Sequence, residues 1–143
     1  MADKKVSVLI VEDNKDLLYM FQMFFSDHLD VIEPVYVSSL EEARVKFAAG
    51  SYDLVVTDGQ YPDSPKSPVI NREAGIIFLS ELKASSFAGQ VIYLSSSDQH
   101  FEAIKTAGYA EAYSKGTFGS LDVVKRCLAM VKGAPATEAS EQS

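Results

Sequence analysis

Val6-Ser7-Val8-Leu9-Ile10-Val11-Glu12-Asp13-Asn14 begins with a short, β-branched apolar run that stops abruptly at charge. A run this short, apolar at consecutive rather than alternate positions, is the pattern of a strand buried on both faces. Comparable runs recur at Val31 to Val37, Tyr52 to Thr57, Val91 to Leu94 and, more weakly, Tyr109 to Tyr113. Helical spacing fills the intervals at about 15–28, 40–49, 73–84, 98–107 and 118–132, with Ser39 and Asp98 as candidate N-caps. Strand and helix therefore alternate five times. Parallel neighbours need crossover connections, and these are right-handed, so the rhythm predicts an α/β three-layer sandwich with a parallel five-stranded sheet.

The composition agrees with one such domain. The chain has 143 residues, 47% of them hydrophobic and 23% charged, enough to bury a core without disulfides or a structural metal. Cys127 stands alone, which excludes an internal disulfide, and no zinc-spaced Cys/His set occurs. The N-terminal apolar run is too short for a signal peptide or a membrane span, so a cytoplasmic location is expected. A formal charge of −7 opposes nucleic acid and anionic membrane surfaces as partners. The domain is expected over residues 1–132. The stretch 133–143 lacks an apolar pattern and is expected to be a disordered tail. Residues 59–74 hold three of the five prolines and read as a long loop, of a length that tends to be functional or mobile.

In open parallel sheets, ligands bind at the carboxyl ends of the strands. Those ends carry Glu12, Asp13 and Asn14 after the first run, Asp58 after the third, Ser95, Ser96 and Ser97 after the fourth, and Lys115 after the fifth. Three carboxylates crowded together raise one another's pKa unless a cation compensates them. An oxygen-only ligand set with few members suits Mg²⁺, which keeps several waters and favours one or two carboxylates plus a phosphate. A lysine and a serine hydroxyl would hold further phosphoryl oxygens while a carboxylate attacks in line.

On these residues the chain resembles the receiver domains of two-component response regulators, over nearly its whole length. Val11-Glu12-Asp13-Asn14 is similar to the family's acidic pair after the first strand, and Asp53 to Asp58 to its phosphoacceptor strand, with Pro62 four residues further on. Ser95 stands in the place of the switch Ser/Thr, Ser96 in that of the small residue after it, and Gly108 precedes Lys115 by seven residues as in the fifth-strand pattern. Each motif is weak alone; their order at four strand ends is specific.

The resemblance implies a flavodoxin-like (βα)5 fold with strand order 2-1-3-4-5 and a signalling phosphoacceptor rather than an enzyme. Asp58 would receive the phosphoryl group. Asp13 and Asp58 would hold Mg²⁺ directly, Glu12 through water, and Gln60 by its backbone carbonyl. Ser95, Ser96 and Lys115 would bind the phosphoryl group, and Gln60 and Ser97 would tune its hydrolysis. The implied partners are a sensor histidine kinase or histidine phosphotransfer protein and a downstream protein, with the chain a monomer or weak homodimer. Two alternatives stand beside this one: a receiver-like scaffold that binds regardless of phosphorylation, and a Mg²⁺-dependent phosphohydrolase working through an aspartyl phosphate.

Three features depart from the family pattern. Gly116 follows Lys115 where the family usually has a proline, often cis; without proline a cis bond costs about 2.5–4 kcal/mol, so the bond is either trans or strained. The family's switch aromatic falls on Ala112, with Tyr113 one place later and facing the other way. Pro62 and Gly75 are thirteen residues apart, far more than the family needs.

Other residues have ordinary readings. His28 shares a helix face with Leu17, Phe21 and Phe24 as a packing residue, His100 is expected to face solvent, and Cys127 to pack as a small apolar side chain. Serines such as Ser96 and Ser97 also cap and turn. Tyr19 and Met23 point away from the buried face of the first helix, and are expected to be exposed and candidates for an interface.

Overall fold

The computed structural model describes residues 5–131. Lys132 and the 133–143 stretch, where the domain boundary and the tail are expected, lie outside the described residues.

The elements run β1 (Val6–Val11), α1 (Lys15–Phe25), β2 (Ile32–Val37), α2 (Leu40–Ala49), β3 (Leu54–Asp58), β4 (Tyr61–Pro62), β5 (Ile70–Asn71), α3 (Ala74–Ala84), β6 (Gln90–Ser95), α4 (Phe101–Ala107), β7 (Glu111–Ser114) and α5 (Ser120–Val131). Five strands form one sheet in the order β2-β1-β3-β6-β7, all pairs parallel. This is the expected flavodoxin-like arrangement, with β4 and β5 standing outside the sheet as a separate antiparallel ribbon. Pro34, which has no N–H to donate, is tolerated because β2 is an edge strand.

The two-residue period of the strands divides the core. Val8, Ile10, Leu54, Val56, Ile92, Leu94 and Tyr113 face Phe21 and Phe25 of α1 and Val123, Val124 and Cys127 of α5. Leu9, Val11, Val55, Tyr93 and Ala112 face Ala43 of α2, Phe78 and Leu82 of α3 and Ile104 of α4. The β-branched runs thus bury both faces of the sheet between two helical layers, as parallel sheets require. Among the described residues no helix is long and apolar enough to cross a membrane.

The helix starts follow local capping chemistry. Asn14 Oδ1 accepts from the backbone N–H groups of Asp16 (2.9 Å) and Leu17 (3.1 Å), and Ser39 Oγ accepts from Glu42 N–H, as an N-cap should. Asp98 is not a cap. Its backbone carbonyl accepts from Phe101 N–H at 3.1 Å in a turn, so the helix begins three residues later, at Phe101, without a side-chain cap.

Three further expectations are corrected. The first helix ends at Phe25 and passes into a 3₁₀ turn over Ser26–His28. The last strand begins at Glu111, where pairing with Ile92 starts, and Tyr109 lies before it with its hydroxyl donating to the Phe87 carbonyl. The 59–74 segment has structure of its own. Tyr61 pairs with Asn71 and Pro62 with Ile70, Asn71 Nδ2 donates to Asp63 Oδ1 at 2.7 Å, and Glu41 N–H reaches the Asp63 carbonyl at 2.9 Å, tying the ribbon to α2. Its foot is fixed by the fully buried Tyr61.

Candidate functional site

Each acidic residue stands where a buried strand releases the chain at the carboxyl edge of the sheet. β1 ends at Val11, so Glu12 remains buried while Asp13 emerges half-buried. β3 carries Asp58 as its last residue, 6% exposed. Ligating oxygens of Glu12, Asp13 and Asp58 all lie within 4.8 Å of one another. Lys115 follows β7 and reaches across the end of β6 to donate to Asp58 Oδ2 at 2.8 Å and Glu12 Oε1 at 2.9 Å. Its backbone N–H is anchored on the Ser95 carbonyl at 3.0 Å, and its bond to Gly116 is trans.

The electrostatics follow from this crowding. Burial, reinforced by the Asp58 charge, pushes the Glu12 carboxyl up to about 7, against the opposing pull of Lys115. Asp13 is raised as well, chiefly by burial. Burial works against the Lys115 ammonium, but Asp58 and Glu12 outweigh it and hold its pKa above the usual lysine range. A single lysine serving three carboxylates leaves the cluster short of positive charge. An oxygen-only set of this kind fits a hard divalent cation such as Mg²⁺, which is best served by few carboxylates and several waters.

The loop after β3 is held by close backbone packing. Gly59 N–H donates to the Leu94 carbonyl at 2.7 Å, and Gly75 N–H donates to the Gly59 carbonyl at 3.0 Å. A β-carbon on Gly75 would stand 2.2 Å from the Asp58 carbonyl oxygen, so only glycine lets α3 begin this close to Asp58. Thr57 Oγ1 donates to the Asp58 carbonyl at 2.9 Å, which leaves Tyr61 Oη, 3.0 Å away, to donate to Thr57, since a hydroxyl has one proton. Thr57, Tyr61 and Gly59 support the site although the motif pattern does not single them out, whereas Gly75 is the glycine that the pattern places after the loop. An aromatic within four residues of the acidic strand end is the one visible signal for Tyr61.

The serines fall in different settings. Ser95 is buried, and its Oγ accepts from Ser97 N–H at 3.1 Å. Ser96 is exposed, and Ser97 is half-buried. These two border an open cleft of about 460 Å³ between the β6–α4 turn, α4 and β7, lined also by Phe101, Lys105 and Ala112. Gln60 is half-buried, with its backbone N–H 3.4 Å from Asp58 Oδ1.

Tyr19 and Met23 are exposed on α1 (62% and 50%), and Cys127 is fully buried, both as expected. His28 is half-buried. His100 departs from expectation: it is half-buried and its Nε2 lies 2.8 Å from Glu73 Oε2, joining the start of α4 to the start of α3. Ala112 and Tyr113 do face opposite sides of the sheet. The Tyr113 ring stacks on Phe118 with centroids 3.9 Å apart, and its hydroxyl donates to Glu111, which also receives two bonds from Arg126.

No protein-family model and no curated protein matches the chain in sequence. Solved structures match it in shape. The response regulator TrrA from Thermotoga maritima, determined in complex with Mg²⁺ and BeF, is 20% identical over 88% of this chain and 98% of its own, with a TM-score of 0.64. A response regulator receiver domain from Clostridium thermocellum is 21% identical over 89% and 94%, at 0.65. The non-phosphorylated receiver domain of RcsB from Escherichia coli is 15% identical over 92% and 96%, at 0.70. The structural neighbours are thus response-regulator receiver domains, and the fold of this chain is theirs.

Proposed function

We propose that this protein is a phosphoacceptor of two-component signalling, phosphorylated on Asp58 in a Mg²⁺-dependent reaction. The observation that carries this reading is the pair of hydrogen bonds that Lys115 donates to Asp58 and Glu12, beside a carboxylate cluster of metal-binding dimensions on a receiver fold. Asp13 and Asp58 would hold Mg²⁺ directly, Glu12 through water, and Gln60 through its backbone carbonyl. The ion supplies positive charge against the phosphoryl oxygens.

An Asp58 oxygen forms the new bond to phosphorus while the bond from phosphorus to the donor's imidazole nitrogen or acyl oxygen breaks, its electron pair leaving with the donor. Lys115 then moves its hydrogen bond from the carboxylate to a phosphoryl oxygen, a charge-assisted contact. The Ser95 hydroxyl and the backbone around Ser96 bind the remaining oxygens, and Gln60 and Ser97 govern access of the hydrolysing water. The phosphodonor is a sensor histidine kinase or histidine phosphotransfer protein in the cytoplasm, and the exposed Tyr19–Met23 face of α1 offers it an apolar contact.

Incubation with Mg²⁺ and a small acyl-phosphate, read by intact mass, tests the proposal. The wild-type chain gains one phosphoryl group and Asp58→Asn gains none; equal gain in both variants, or none in either, overturns it. A second reading, a scaffold that binds partners regardless of phosphorylation, draws on the alanine at position 112 and predicts partner binding unchanged in Asp58→Asn.

A further inference from the structure

Residues 57–61 close on themselves beside the acidic cluster. Thr57 and Tyr61 are both fully buried, and their hydroxyl oxygens lie 3.0 Å apart. Thr57 Oγ1 in turn donates to the Asp58 carbonyl at 2.9 Å, so the phenol, the hydroxyl and the backbone carbonyl form one chain. Burial holds the Tyr61 phenol above the usual tyrosine range, which keeps it a donor. The peptides between these two residues are also held in sequence. Gly59 N–H donates to the Leu94 carbonyl at 2.7 Å, and the Gly59 carbonyl accepts from Gly75 N–H at 3.0 Å. Past Gln60, Tyr61 is tied twice, through its hydroxyl and through its pairing with Asn71 at the foot of the ribbon. Gln60 therefore sits in a segment fixed on both flanks.

We propose that Tyr61 is a positioning residue that sets the affinity of the Glu12–Asp13–Asp58 cluster for a divalent cation, by holding the Asp58–Gln60 backbone through Thr57. This role rests on the phosphoacceptor reading, which puts Mg²⁺ on Asp58 and on the Gln60 carbonyl. Both ligands belong to the loop that Tyr61 closes. The Thr57 hydroxyl holds the main chain of Asp58, and Gln60 offers the carbonyl of the peptide it shares with Tyr61. Mg²⁺ demands near-ideal octahedral geometry, so its affinity depends on ligand placement. The ammonium of Lys115, a point charge on a flexible stem, tolerates more. Tyr61→Phe keeps the ring that fills the core but strips Thr57 of its donor, leaving a buried acceptor unpaired. The ring thus serves the fold, and the hydroxyl serves the ligands.

The test titrates Mg²⁺ calorimetrically into wild type, Tyr61→Phe, Thr57→Val and Thr57→Ser, with the urea midpoint of each measured in chelator. Groups that orient metal ligands typically contribute 10–100-fold in affinity. Tyr61 acts through Thr57, so Tyr61→Phe and Thr57→Val should bind at least about fivefold more weakly than wild type. Thr57→Ser, which keeps the hydroxyl, should bind as wild type does. The Tyr61→Phe/Thr57→Val double variant should bind no more weakly than either single one, because both cut the same chain. At saturating Mg²⁺, phosphoryl gain from an acyl-phosphate should return to the wild-type rate in Tyr61→Phe. Unchanged affinity in Tyr61→Phe, even with a lower urea midpoint, overturns the positioning role and leaves a structural one. Additive losses in the double variant, or a Thr57→Ser as weak as Thr57→Val, overturn it too. Should Tyr61→Phe fail to fold, Thr57→Val against Thr57→Ser decides the same question. No Mg²⁺ binding by wild type overturns the Mg²⁺-dependent phosphoacceptor reading, and the role of Tyr61 with it.

Discussion

Lys115 Nζ donates to Asp58 Oδ2 at 2.8 Å although the two residues belong to strand ends separated by β6. Asp58 is therefore already paired with a cation, and that cation competes with any metal for the same carboxylates. Lys115→Met is expected to bind Mg²⁺ more tightly than wild type in a calorimetric titration, because a positive charge has left the cluster. The same variant should gain phosphoryl from an acyl-phosphate roughly a hundredfold more slowly, having lost one charge-stabilising donor. Equal rates for the two proteins would remove Lys115 from the reaction.

Glu12 gives the metal-free protein a pH dependence of definite sign. Its carboxyl is raised from 4.5 to about 7 in the folded state, so between these values the folded chain holds a proton that the unfolded chain releases. Stability therefore falls as pH rises from about 4.5 through 7, and Asp13, also raised, adds in the same direction. Denaturant midpoints in chelator should be higher at pH 5 than at pH 8, and Glu12→Gln should flatten the difference. Mg²⁺, which displaces that proton, should bind more tightly at pH 8 than at pH 6.

Gly75→Ala tests the close approach of α3 to the loop after Asp58. The added carbon would meet the Asp58 carbonyl oxygen at 2.2 Å and Gly59 Cα at 2.5 Å. Both are backbone atoms with no rotamer to change, so the helix start must move. A loss of about 1–3 kcal/mol is expected, the usual cost of overpacking, read as a lower urea midpoint with an unchanged slope.

Cys127 is fully buried, and burial pushes its thiol up to about 12. Since the thiolate is the reactive form, the native protein should resist alkylation at pH 8 and react stoichiometrically once unfolded. Rapid labelling of the native protein would show that α5 opens readily from the sheet.

The sheet and its acidic rim were legible because the signals that encode them are local. Val8 to Val11 and Leu54 to Val56 are apolar at every position, the pattern of a strand buried on both faces, and the change to charge at Glu12 and Asp58 marks where each leaves the core. The ribbon was not legible, since strands of two residues have no period to detect and Tyr61 reveals its anchoring role only once Thr57 is seen beneath it. The late start of α4 was hidden by Asp98, which has a capping side chain but uses its backbone carbonyl instead. Tyr93 has the pattern of strand core and no more, because nothing in an apolar run tells which buried ring has its hydroxyl beside a serine two residues on.

The ribbon also has a consequence for how this protein can change. Its two strands close on each other at Tyr61–Asn71 and Pro62–Ile70, and between them the chain turns outward through the exposed Pro65, Lys66, Pro68 and Val69. Lengthening a closed loop costs only a logarithmically growing entropy, and here the two pairs close the loop between the turn and Asp58. New sequence entering at this turn lies outside the five-stranded sheet, which makes it the natural place to graft an epitope or a fluorescent reporter.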